Sequence, residues 1–168
     1  MSGGAGGLLL ALRSLLWTIL LPGMMAGYIP LRYFGVARVR LDLTNPRQLL
    51  GLAVIALGVA LLAACIWEFA RRGRGTLSPV DPPKELVVHG LYRYVRNPMY
   101  VAVSAIVLGE ALLARSTALL LYWAIFFTLV NLFVRFYEEP ALRRQFGDSY
   151  LRYTERVGRW LPRLPSSP

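Results

Sequence analysis

Four apolar runs separated by short polar stretches dominate the chain, at about 8–29, 49–70, 99–114 and 117–134. A bilayer-spanning helix needs roughly 20 apolar residues. The second run meets that length. The third is short, and the pattern predicts that it starts at Pro98 and packs against the fourth as a hairpin turning at Arg115–Ser116. The first is interrupted by Pro22–Gly23 and carries Arg13, which leaves either one kinked helix or a re-entrant pair. No positive side chain precedes Leu8, so this run reads as a span and not as a cleaved leader. Beyond Pro140 the apolar positions Leu142, Phe146, Tyr150, Tyr153, Val157, Trp160 and Leu161 recur at steps of three or four. That spacing predicts an amphipathic helix, broken by Gly147–Asp148. The expected fold is an all-α integral membrane protein. It has about four transmembrane helices and a C-terminal amphipathic helical region, in a single membrane domain.

Composition supports this reading. Of the 168 residues, 56% are hydrophobic and only 17% charged, below the ~25% of soluble domains. The net charge of +10 does not mark a nucleic-acid binder, because the arginines cluster at the ends of apolar runs. One cysteine and one histidine exclude a disulfide framework and a multi-histidine metal site. Arg71, Arg72, Arg74, Lys84, Arg93 and Arg96 precede the third run, and Arg135, Arg143, Arg144, Arg152, Arg156, Arg159 and Arg163 follow the fourth. The hairpin puts both groups on one side, which the positive-inside rule makes cytosolic. Arg32, Arg38, Arg40 and Arg47 oppose that bias from the first loop.

The unusual polar residues collect in those same two stretches. The first is a proline-rich loop with Pro79, Pro82 and Pro83, followed by GLYRYVRNPMY at 90–100. Asn97–Pro98 reads as a helix cap and first helical residue. Such a helix start also offers backbone donors to an anionic group. Arg96 suits a carboxylate, and Tyr92 and Tyr100 suit the walls of a pocket. In the second stretch, Glu138 and Glu139 precede Pro140. Glu139 has Arg135 and Arg143 at i,i+4 spacing for surface pairs. Adjacent helical residues point about 100° apart, so the two glutamates are expected to do different things.

His89 and Cys65 read as an interfacial residue and a small buried hydrophobe. Glu68 reads as structural, near Arg71 and Arg72, and Glu110 as a partner of Arg115. Gly51 and Gly58 allow close helix packing.

GLYRYVRNPMY, then EEP at 138–140, then FGDSYLRYTERVGRWLP at 146–162, together resemble the isoprenylcysteine carboxyl methyltransferase family. The related phospholipid methyltransferases share much of the pattern. The resemblance covers 73–162, which becomes a cofactor-binding core between the membrane helices of 1–72 and a tail at 163–168. It implies a membrane enzyme that takes S-adenosyl-L-methionine from the cytosolic side and methylates a lipophilic or lipid-modified substrate. The family motif Arg-His-Pro-x-Tyr falls on Arg96, Asn97, Pro98, Met99 and Tyr100, with asparagine in place of histidine. The cofactor-contacting stretch falls on Lys84, Glu85, Leu86 and Val87, and its tyrosine on Tyr92. The glutamate pair falls on Glu138 and Glu139, with Glu138 the better match to the cofactor-binding glutamate. Arg96, Glu138 and the nearby Arg135 are the implied catalytic residues. Two rival readings remain: a sterol-reductase-type membrane enzyme using NADPH, and a scaffold that has kept the fold without turnover.

Overall fold

The computed structural model of the chain describes residues 20–72, 86 and 88–163. Among them the architecture is all helical, and the extended backbone is limited to one parallel bridge between Val95 and Gly158. The start of the first run, with Arg13, lies outside the described residues. From Leu20 its backbone is helical straight through Pro22–Gly23, then passes a π turn at Met24–Tyr28 and ends in α1, Ile29–Tyr33. The irregularity comes at Pro30. Proline has no N–H, and its ring crowds the carbonyl four residues back. The helix widens ahead of it, so that the Ile29 N–H reaches the Met24 carbonyl. Pro30 brings no N–H that could close the next wide bond, to the Met25 carbonyl, and the Tyr122 hydroxyl donates to that carbonyl at 2.9 Å.

Helix α2, Pro46–Arg72, opens on a cap. Asn45 Oδ1 accepts from the N–H groups of Arg47 at 3.1 Å and Gln48 at 3.3 Å. Helix α3, Pro98–Ala114, runs antiparallel to it at very close range. A Cβ on Gly109 would stand 2.7 Å from the Gly51 carbonyl oxygen, and one on Gly58 would stand 2.9 Å from that of Ala102. Both glycines expected at a packing face are there, and Gly109 faces them from α3. Arg115 takes a left-handed conformation (φ 52°). Ser116 Oγ accepts from the Leu119 N–H at 3.2 Å, which starts α4, Thr117–Phe133. The hairpin turn therefore lies where the pattern predicts. Ala26, Val103, Ile106, Val107, Ala111 and Leu119 form the core among these helices.

A second π turn, Val134–Glu138, joins α4 to α5, Glu139–Arg156, whose backbone breaks at Gly147 (φ 51°, ψ −129°) as expected. Tyr150, Tyr153 and Val157 pack with Leu86, Val88, Leu142 and Phe146, on the predicted apolar stripe. Leu161 departs from the stripe and is 77% exposed. The chain leaves the helix at Val157, so helical spacing no longer aims it.

Two helical runs among the described residues, Pro46–Glu68 and Thr117–Arg156, are long and apolar enough to cross a membrane, against the four expected. Their outward leucines and isoleucines, such as Leu57, Leu121, Ile125 and Leu129, stay exposed, which suits lipid contact. Helix α3 has 17 residues, about 26 Å of rise against a hydrocarbon core of ~30 Å. It is apolar because its neighbours surround it, with Ala102, Val107 and Ala111 fully enclosed. Glu110 is buried in it, and the expected pair with Arg115 does not form. Its Oε2 has no hydrogen-bond partner among the described residues, and Arg115 lies within electrostatic reach of Asp42 instead.

Because the Gly51–Gly109 contact leaves no room for a side chain, Gly109→Val should destabilise the helix pair by about 1–3 kcal/mol. Thermal unfolding in detergent should show a clearly lowered Tm. A Tm equal to the parent's would refute this account of the α2–α3 contact.

Candidate functional site

The site forms where the loop before α3, the π turn after α4 and the segment after α5 meet. Gly90 opens a short 3-10 turn, Gly90–Arg93, with φ +57°. It lies against the end of α2, where a Cβ would stand 3.0 Å from the carboxyl carbon of Glu68. Tyr153 of α5 donates its hydroxyl to the Tyr92 carbonyl at 2.6 Å. Burial pushes the Tyr92 phenol well above its usual pKa, so it stays neutral. The Arg96 N–H donates to the Gly158 carbonyl at 2.9 Å, which fastens the loop to the C-terminal segment.

Asn97 is buried at the cap position of α3, but its side chain does not cap the helix. Its Nδ2 donates to the Arg159 carbonyl at 3.2 Å. Pro98 is buried behind it, and Met99 and Tyr100 are partly buried in the first turn.

Glu139 is the centre of the cluster. Arg159 donates to both of its oxygens, from Nε and Nη2, each at 2.7 Å. Arg96 Nη1 lies 3.0 Å from Oε1, with its side chain 11% exposed. The hydrogen bond to Glu139 raises the pKa of Arg159 further, which keeps it charged. The i,i+4 surface pairs expected for Glu139 are replaced by this arrangement. Arg135 and Arg143 are exposed, and the Arg135 guanidinium lies over the Phe136 ring at 5.7 Å. Arg135 is thus not brought into the cluster. Arg96 also donates to the Tyr150 hydroxyl at 3.5 Å, while its buried Nε has no hydrogen-bond partner among the described residues.

Glu138 has a different neighbourhood. It accepts from the Tyr100 hydroxyl at 3.3 Å, and among the described residues no basic side chain pairs with it. Above Tyr100 lies Trp160, with ring centroids 6.5 Å apart. Trp160 also packs on Phe127 at 5.2 Å and donates to Asn131 Oδ1 at 3.1 Å.

The structure therefore joins Tyr92, Arg96, Asn97, Pro98, Tyr100, Glu138 and Glu139. Leu86 belongs to the apolar cluster under Tyr150 and Tyr153. Lys84, Glu85 and Val87 lie outside the described residues, and His89 is exposed. Arg159, Tyr150, Trp160 and Asn131 were not among the expected site residues. Asn131 carried a readable signal, as a polar side chain within an apolar helix.

Asn97→Asp should set two acceptors against each other at the Arg159 carbonyl and lower stability by about 1–3 kcal/mol. Asn97→His should lose less, since an imidazole N–H can still donate. Thermal unfolding of the two variants side by side checks the order, and Asp retaining more stability than His would contradict it.

Residues 46–149 match the family profile described as phospholipid methyltransferase. The chain is also 35% identical over 85 residues to protein-S-isoprenylcysteine O-methyltransferase of Schizosaccharomyces pombe, over 48% of this chain and 34% of that protein. It spans about a third of the length of the curated relative it matches. The profile match begins at the first residue of α2, takes in Arg96, Asn97, Tyr100, Glu138 and Glu139, and ends inside α5, so the chain belongs to the phospholipid methyltransferase family.

Proposed function

We propose that the chain transfers a methyl group from S-adenosyl-L-methionine to a lipophilic acceptor at the membrane surface. The chemistry is most like carboxyl O-methylation of an isoprenylated cysteine, the reaction named for the S. pombe relative. The observation that carries the reading is Glu138. It is a partly buried carboxylate held by a neutral phenol, with no cation paired to it among the described residues, beside two membrane-length helices.

The residues present fit the amino-acid end of that cofactor. Glu138 suits an ammonium, and the unused Nε of Arg96 suits a carboxylate. The start of α3 at Asn97–Pro98 adds backbone donors at the polar end. Tyr92 and Tyr100 line the approach, with Leu86, Lys84, Glu85, Val87 and Met99 as the further expected contacts. Glu139 fixes the Arg96 guanidinium, and Asn97 fixes the backbone of Arg159. The cofactor supplies a methyl group on an electrophilic sulfonium. The chain's task is then alignment in a dry site, and the Tyr100 ring that holds Glu138 packs on Trp160, which packs on Phe127.

A carboxylate acceptor reacts without a general base. The family description favours a second acceptor class, a phospholipid amine. That acceptor must be neutral to react, and a carboxylate near it would take its proton. The positive residues around this end suit a cytosolic site and C-terminus.

Thermal shift of the detergent-solubilised protein tests the reading. S-adenosyl-L-methionine and S-adenosylhomocysteine should raise the Tm, and NADPH should not. A shift with NADPH alone would replace this reading with a reductase. Glu138→Gln should weaken S-adenosylhomocysteine binding by roughly 1.5–3 kcal/mol, the worth of a hydrogen bond to a charged group. Unchanged affinity by calorimetry would remove Glu138 from the cofactor site.

A further inference from the structure

The chain uses one local device twice. The π turns Met24–Tyr28 and Val134–Glu138 each end two residues before a proline, Pro30 and Pro140. In both, the residue before the proline donates its N–H five residues back, Ile29 to Met24 and Glu139 to Val134. The cause is the same: the proline ring would crowd the carbonyl four residues before it, and the wider turn relieves that. At Pro30 the turn serves packing, with the proline fully buried and Tyr122 on the freed carbonyl. At Pro140 the two residues at its end are Glu138 and Glu139.

The second turn is a seam between two helical registers. Inward positions on α4 are Phe127, Asn131 and Val134, at steps of four and three. The next position in that register is Glu138, which meets Tyr100. Inward positions on α5 are Leu142, Phe146, Tyr150 and Tyr153. Extended backwards by three, that register begins at Glu139, which meets Arg96 and Arg159. An unbroken α-helix carries only one of these registers. Continued from Glu138 it would turn Gln145 inward and carry Phe146 away, up to the break at Gly147.

We infer that Pro140 is a positioning residue. The wide turn it imposes lets adjacent glutamates serve one site, with Glu138 open to a cationic ligand group and Glu139 committed to two arginines. The inference rests on the proposed function only for what Glu138 binds.

The test compares Pro140→Ala with Pro30→Ala, which alters the same device away from the site. Without ligand, a thermal-unfolding double-mutant cycle between Tyr100→Phe and Glu138→Gln should be non-additive in the parent and in Pro30→Ala. In Pro140→Ala a single register remains, so either this cycle or a matching one between Arg159→Ala and Glu139→Gln, non-additive in the parent, should become additive. Binding of S-adenosylhomocysteine should fall about tenfold in Pro140→Ala and stay unchanged in Pro30→Ala. Should Pro140→Ala fail to fold, deletion of the exposed Tyr137 removes the extra residue directly, brings Glu139 to the position of Glu138 and should make the Tyr100–Glu138 cycle additive. Survival of both couplings in Pro140→Ala, or of the Tyr100–Glu138 coupling in the deletion, overturns the inference, as does an equal loss in Pro30→Ala. If the parent protein binds no S-adenosylhomocysteine, the functional reading falls, and the ligand-free cycle still decides the role of Pro140.

Discussion

One carboxylate, Glu139, holds the polar end of this protein together. It lies between Arg96, from the loop before α3, and Arg159, from the segment after α5. Those two segments also share the Arg96–Gly158 and Asn97–Arg159 hydrogen bonds. Burying an ion pair yields little net stability, because desolvation offsets the attraction. What it provides is discrimination. Any arrangement that separates the three segments leaves a poorly solvated charge without a partner, and that penalty is large.

The helix packing sets where this network forms. Helix α3 is pressed onto α2 through Gly51, Gly58 and Gly109 and is shorter than a full span. At its start Asn97 is buried, and Tyr92 and Arg96 are partly buried. The groups there bond to one another: Tyr153 to the Tyr92 carbonyl, Asn97 to the Arg159 carbonyl, Trp160 to Asn131.

What the sequence made legible was local. Small residues marked the α2 face, Arg115–Ser116 marked the turn, and Gly147 marked the break in α5. The two polar stretches could be read as neighbours from charge and span order alone. What escaped depends on contacts distant in sequence. The dipeptide Asn-Pro occurs at the starts of both α2 and α3, with identical local signals. Asn45 caps its helix, whereas Asn97 turns to a carbonyl 62 residues away. Glu139 escaped for a related reason. The i,i+4 rule that paired it with Arg135 assumes a continuous α-helix, and Pro140 removes that assumption one turn earlier.

The substitution of asparagine for the family's histidine can be weighed on the same terms. Asn97 uses its amide as a donor to a backbone carbonyl, a task that an imidazole N–H also performs. Neither version of that task moves a proton. Transfer from a sulfonium needs alignment and exclusion of water at this position more than acid or base strength. On the proposed function, the asparagine therefore keeps what the position contributes to geometry. On that same proposal, the carboxylate that meets the cofactor is Glu138. Among the described residues no basic side chain pairs with it, beside a glutamate fully engaged with two arginines. On the proposed function, that difference assigns one of two adjacent residues of the same type to a ligand and the other to structure.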